Sequence, residues 1–378
     1  MKWKLLVEEW KNHHSLDEKL RQNLEEIELD EKSLEDAFYT PLEFGTAGMR
    51  GVLGAGINRM NIYTVRQASL GLAHFIAEIG EEAKERGVVI AYDSRHQSPE
   101  FAMEVAKTLG QKGIQSYVFE SLRPTPELSF AVRHLNAAAG VMITASHNPA
   151  EYNGYKVYGE DGGQMPPEEA DRLTSFVRSV EKPLDVEVSE EETLKKNGLL
   201  QIIGEAVDQA YLEEMETVTQ DRELIKRMKD EVTIVFSPLH GTGKMIGERA
   251  LRQAGFKNVH LVEEQAEPNP DFPTVASPNP EDPEAFAYAE KLGKKVDADV
   301  LIATDPDADR LGMAVKAVEG QYVVLTGNQI AALMLDYLLE AKTTKGKLPA
   351  NSVIVKSVVS GELSTQIAEK HGVNTVNV

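Results

Sequence analysis

The sequence predicts an α/β protein made of successive units, each a parallel sheet covered by helices. Three observations support this. Short apolar runs such as "VVIAY", "SYVF" and "AAGVMIT" alternate with segments of helical period such as "SPEFAMEVAKTLGQKG". Turn-forming residues mark each change of period. Strand–helix–strand order requires crossover connections, which make the strands parallel and put helices on the sheet faces. The chain has 378 residues, too many for one core, so two or three domains are expected.

Residues 1–37 read as a charged helical preamble. "SLDEKLRQNLEEI" opens with a capping box, Ser15 and Glu18, and Leu16, Leu20, Leu24 and Ile27 form one stripe that packs on the domain behind. A helix over Thr64–Gly80 follows from Val65, Leu72, Ile76 and Ile79. The first unit then runs strand 88–92, a helix with Ser98 as cap and Pro99 at its first position, strand 116–119, the helix "TPELSFAVRHL" and strand 138–144. "VTIVF" (232–236), "KMIGERALRQAG", "VHLV", "PEAFAYAEKLGK" and "ADVLIAT" (298–304) make a second unit, and "YVVL", "NQIAALMLDYLLEAK", "SVIVKSV", "ELSTQIAEKHG" and "VNTVNV" begin a third. The charged stretch 181–198 reads as a surface loop. The expected domains are 1–204, 205–318 and 319–378.

The net charge of −21 argues against nucleic acid and anionic membrane as partners, and an anionic substrate would need a local basic pocket. There is no cysteine, so disulfide and thiol chemistry are excluded. The opening "MKWKLLVEEWKNHH" lacks the apolar core of a secretory signal, and no apolar run approaches a bilayer span. A cytoplasmic location is expected, and oligomeric state is not legible.

In open α/β sheets ligands bind beyond the carboxyl ends of the strands. The strands here run into "DSR", "SLRPTP", "ASHNP", "SPLHGTG" and "DPDADR". In "DPDADR" the carboxylates of Asp305, Asp307 and Asp309 alternate, so an extended loop turns them to one side, where they need a cation. Oxygen ligands select Mg²⁺ or Mn²⁺. An EF-hand fails, because its sixth position would be Arg310 and its twelfth Lys316. A solvated acidic turn and an Asp-x-Asp phosphatase nucleophile are the alternatives. Arg310 is a phosphate ligand or a partner for the aspartates. "FGTAGMRG" (44–51), ending on Arg50, is an anion-binding loop or a turn. His240 orders its own loop. In "TASHNP" (144–149), Ser146 is a nucleophile or a turn residue.

"FGTAGMRG", "TASHNPAEYNGYKVYGEDGGQ" and "DPDADR", in this order and at these separations, closely resemble the α-D-phosphohexomutases, and the Ala-Gly-Met form of the first is similar to the bacterial phosphoglucomutase and phosphopentomutase branch. The resemblance implies three-layer α/β domains with mixed, mostly parallel sheets around a central cleft. It implies that Ser146 carries a phosphoryl group and that Mg²⁺ is held by Ser146 with Asp305, Asp307 and Asp309. Arg50, Lys156 and Arg310 would bind substrate phosphate, and one of Lys156, Arg50 or His147 would handle the proton. The reaction implied converts hexose 1-phosphate to hexose 6-phosphate, glucose foremost, with glucose 1,6-bisphosphate as activator. Phosphopentomutase or phosphomannomutase activity is the near alternative. The family's sugar-recognition loop and its Arg-x-Ser-Gly-Thr phosphate loop do not occur here, so a C-terminally truncated chain of low mutase activity is expected. A dehalogenase-like phosphatase using Asp305, and a non-catalytic remnant, are the rivals.

Overall fold

The computed structural model describes residues 2–45 and 48–378. Its first sheet contains β1 (Met49–Val52), β2 (Val88–Tyr92), β3 (Ser116–Phe119), β4 (Ala139–Ile143), β5 (Tyr152–Tyr158) and β6 (Leu200–Ile203). Their order is β1-β5-β4-β2-β3-β6. Strands β4, β2, β3 and β6 run parallel, and β5 and β1 extend the sheet antiparallel. Every residue of β2 and β4 is buried, as expected of strands covered on both faces. The two-residue period sorts them: Val88, Ile90, Val141 and Ile143 face the helices Ile62–Ile79 and Ser98–Gln111, while Val89, Ala91 and Met142 face the helix Thr125–His134.

The second sheet contains β7 (Thr233–Ser237), β8 (Asn258–Leu261), β9 (Val300–Thr304), β10 (Leu311–Lys316) and β11 (Tyr322–Leu325), ordered β11-β10-β9-β7-β8. Strand β11 corrects the sequence reading, which assigns "YVVL" to a third unit. It forms an antiparallel hairpin with β10 through a turn containing Gly320 at φ +84°, and the Tyr322 hydroxyl donates to Ala298 O at 2.6 Å inside the second core. A hairpin of this kind needs only a short turn, whereas a new unit would need a crossover. Beyond it, β12 (Val353–Lys356) and β13 (Asn374–Asn377) pair in parallel beside the helices Gly327–Thr344 and Leu363–Lys370, leaving Val353, Val355 and Val376 exposed.

Three further expectations shift. The helix Glu18–Ile27 is capped by Asp17, which accepts from Leu20 N at 3.1 Å, not by Ser15. Its Leu20 and Leu24 do bury, with Trp10, Phe38 and Tyr63. The helix at Ser98 has Gln97 at its N-cap with φ +62°, and Ser98 instead donates its hydroxyl to Asp93 Oδ1 at 2.8 Å. The stretch 181–198 includes the helix Glu191–Lys196, because Leu184, Val186 and Leu194 anchor it to the domain. Among the described residues, no helix is long and apolar enough to cross a membrane.

Candidate active site

The serine loop leaves the end of β4. Ser146 is buried and left-handed, with φ +52°, and its N–H donates to Thr144 Oγ1 at 2.8 Å. A non-glycine residue in this region costs about 1–2 kcal/mol, so its surroundings must impose the conformation. Arg95, two residues beyond Asp93 at the end of β2, does this. Its Nη2 donates to Ser146 O (2.6 Å) and Asn148 O (2.5 Å), and its Nη1 donates to Pro149 O (2.7 Å) and Tyr152 O (3.0 Å). Asp93 pairs with Arg95 Nε at 3.3 Å, and the Phe272 ring, from the second unit, stacks 5.1 Å from the guanidinium.

The aspartate loop joins β9 to β10. Asp305 N–H donates to Arg310 O, Arg310 N–H donates to Asp305 Oδ1 at 3.1 Å, and Ala308 is left-handed at φ +51°. The "LHGTG" turn braces it. Thr242 N–H donates to Pro306 O at 2.8 Å, and a Cβ on Gly241 would lie 2.4 Å from Pro306 Cα, so only glycine fits. His240 lies 3.1 Å from Glu267 O and 2.9 Å from Thr274 Oγ1, which fits its reading as a loop-ordering residue.

The two loops meet. Ser146 Oγ donates to Asp305 Oδ2 at 2.8 Å, and His147 Nδ1 lies 3.2 Å from Ser146 Oγ. Lys156, on β5, donates to Asp307 Oδ2 (2.9 Å) and Asp309 Oδ2 (3.4 Å). Asp305, Asp307 and Asp309 each offer an oxygen within 4.8 Å of the others. Arg50, on β1, donates to Asn148 Oδ1 at 2.8 Å. Arg310 is about half exposed, with its Nε 3.9 Å from Asp309 Oδ1. The structure thus brings Ser146, His147, Lys156 and the three aspartates into one cluster, with Arg50 and Arg310 at its rim. Thr46 and Ala47 of "FGTAGMRG" lie outside the described residues.

Electrostatics show what this cluster is suited to hold. Burial, then the charges of Asp307 and Asp309, push Asp305 up to about 9. Burial also opposes ionisation of Asp307, but the Lys156 ammonium overcomes it and holds the group below the usual carboxylate range. Lys156 is desolvated yet raised, because Asp307 and Asp309 face it. Burial first, then Arg310 and Arg50, keep His147 below its ordinary value. Asp307 Oδ1 is buried with no hydrogen-bond partner among the described residues. Three carboxylates, one orphaned oxygen and a single ammonium in direct contact fit a hard divalent cation.

Sequence reasoning gave no role to Arg95 or Thr125. Thr125 Oγ1 donates to Asp307 Oδ2 at 2.9 Å. Both residues stand in segments directly after strands, "DSR" and "SLRPTP", and that position is the signal that marked them.

Fold and site define a class of α/β proteins in which a buried serine on one domain faces a loop of three clustered aspartates on the next. The chain belongs to the phosphoglucomutase/phosphomannomutase family, within the α-D-phosphohexomutase superfamily: its residues 41–183 match the model of α/β/α domain I, and residues 209–320 that of α/β/α domain II. It is 41% identical over 360 residues to a phosphoglucomutase of Staphylococcus epidermidis, covering 95% of this chain and 63% of that one. It is 39% identical over 345 residues to a phosphoglucomutase of Staphylococcus haemolyticus, covering 91% and 60%. A crystal structure of a phosphomannomutase candidate from Thermus thermophilus superposes with a TM-score of 0.72 at 26% identity, covering 90% of this chain and 69% of that one. The chain therefore spans a little under two thirds of the length of the curated relatives it matches.

Proposed function

We propose that this chain carries the phosphoryl-transfer centre of a phosphosugar mutase, interconverting hexose 1-phosphate and hexose 6-phosphate with Ser146 as phosphoryl carrier. The observation that carries the reading is the 2.8 Å approach of Ser146 Oγ to Asp305 across the two domains. Glucose phosphate is the substrate favoured by the phosphoglucomutase relatives. The partner is thus a small sugar phosphate, and the negative net charge disfavours nucleic acid. The absence of cysteine fits a cytoplasmic setting.

Asp305, Asp307 and Asp309, with Ser146, would hold Mg²⁺, which when bound stabilises charge on phosphoryl oxygens. Lys156 offsets the aspartates' charge and orders Asp307. Arg310 and Arg50, at the rim beside Ser146, offer guanidinium forks to an incoming phosphate. His147 is our choice for the proton on Ser146 Oγ, since its Nδ1 is within hydrogen-bond reach while Lys156 is engaged by Asp307 and Arg50 by Asn148. We place the domain boundaries at 204/205 and just after Leu325, the latter because β11 completes the second sheet.

Glucose 1,6-bisphosphate is the proposed activator, as donor of the first phosphoryl group. Incubation of the purified chain with it and Mg²⁺, followed by phosphopeptide mapping, tests the reading. Phosphate is expected on Ser146 and lost in Ser146→Ala. Uptake on Asp305, or none at all, overturns it.

A further inference from the structure

We propose that Thr125 is a positioning residue of the cation site, holding Asp307 from across the domain seam; the proposal rests on the cation reading above. Thr125 belongs to the first unit and Asp307 to the second. Thr125 makes two bonds to this one residue: its N–H donates to Asp307 O at 2.8 Å and its hydroxyl to Asp307 Oδ2 at 2.9 Å. Main chain and carboxylate are therefore fixed together. Lys156 Nζ donates to the same Oδ2 at 2.9 Å, so that oxygen is taken twice and Oδ1, buried and without a partner among the described residues, is the oxygen left for a cation.

The helix Thr125–His134 has Pro124 at its N-cap, so Thr125 is its first helical residue. The helix has no side-chain cap, and the Thr125 hydroxyl goes to Asp307. The residue is itself anchored. Pro124 and Pro126 flank it and restrict the backbone. Within the first unit, Arg123 N–H donates to Tyr92 O at 3.1 Å, and its guanidinium also binds Asp208, just past the domain boundary, bidentately at 2.7 and 2.8 Å. A rigid donor on one domain thus sets the rotation of a ligand on the other, the arrangement by which outer-shell groups tune metal affinity.

Mn²⁺ titration by calorimetry on the full chain, comparing the parent with Thr125→Val and Thr125→Ser, tests this. Valine keeps the shape and removes the donor, and is expected to weaken Mn²⁺ binding by about tenfold or more. Serine keeps the donor and is expected to bind within about threefold of the parent. Metal-free melting of each variant separates loss of packing from loss of affinity, and Thr125→Ala stands in if the valine variant does not fold. Valine or alanine variants that bind within about twofold of the parent, or a serine variant as weak as valine, overturn the proposal. A parent chain that binds no Mn²⁺ overturns the cation reading itself and this proposal with it.

Discussion

Arg95 shows how one buried side chain can define a reactive loop. Four carbonyls of the serine turn accept from its two terminal nitrogens, and hydrogen bonds to a charged group contribute about 1.5–3 kcal/mol each. That outweighs the cost of about 1–2 kcal/mol for Ser146 at positive φ. Arg95→Met strands those carbonyls and leaves Asp93 without its partner, so it is expected to lower the unfolding free energy by about 3–5 kcal/mol. Arg95→Lys should not rescue it, because one ammonium does not span the fork. Urea denaturation decides: a loss under about 1 kcal/mol for either variant means the loop is held by other groups. Glu127 gives a second residue-scale expectation. Burial first, then the charge of nearby Asp208, raises it to about 9, against the pull of Arg123 and Arg249. A carboxyl raised in the folded state stabilises fully below its unfolded value near 4.5, and that contribution is lost as pH rises toward about 9. Asp208 is shifted the other way and stays ionised through the neutral range, so it adds no slope there. Glu127→Gln should therefore gain stability relative to the parent as pH rises from about 6 to about 8.5, by up to about 1.4 kcal/mol per pH unit. Parallel stability profiles for the two proteins would contradict this. The sequence made Ser146 and the aspartates visible because their chemistry lies in residue type and local spacing. Arg95 and Thr125 stayed hidden because their roles depend on atoms 50 to 180 residues away, at Ser146 and at Asp307.

Secondary elements were legible wherever burial on both faces wrote a continuous apolar run. Strands β2 and β3 fall where "VVIAY" and "SYVF" put them. Strands β1 and β5 went unread because polar residues such as Arg50, Asn153 and Lys156 interrupt them. Two of those interruptions, Arg50 and Lys156, are candidate site residues, so the pattern broke where function entered. Packing between helices was likewise not legible. Gly71 sits mid-helix in Ile62–Ile79, against Pro167–Arg178. Glycine there ordinarily weakens a helix, and replacement by alanine would gain about 1 kcal/mol. Here an added Cβ would lie 2.5 Å from Val177 Cγ2 and 2.7 Å from its backbone N, and the backbone atom does not yield by rotamer change. Overpacking of this kind costs about 1–3 kcal/mol, enough to reverse the sign. Gly71→Ala is expected to destabilise by about 1–2 kcal/mol in urea unfolding, and a stabilised variant would show that the two helices separate easily.

At the scale of the whole molecule, the first and second units each have a main core, and they are joined by contacts around the candidate site, by Val207, which packs on the first unit, and by Asp208, which pairs with Arg123. Ser146 bonds Asp305, Lys156 and Thr125 bond Asp307, and Ser277 Oγ donates to His147 O at 3.3 Å. His96 meets Asp271 at 2.7 Å on the surface, where an exposed ion pair adds little. Phe272 is one apolar element of this seam, as are Val207 and Tyr211: it is buried, carried by the second unit, and seated over Arg95 of the first. Its removal forfeits about 3–5 kcal/mol of burial and about 0.5–2 kcal/mol of cation–π attraction, and most of that loss falls on the docking of one unit against the other. The two tryptophans, Trp3 and Trp10, both pack in the N-terminal cluster on the first unit, so their fluorescence reports that unit, whereas far-UV circular dichroism reports all of the helices and strands. Coupled units unfold with coincident signals, and uncoupled units do not. Phe272→Ala is therefore expected to widen the gap between the fluorescence and dichroism midpoints relative to the parent, and to slow phosphoryl uptake at Ser146, since the serine and aspartate loops meet only when the units are docked. Midpoints that shift together, with uptake unchanged, would mean that the other contacts of the seam hold the site closed without Phe272.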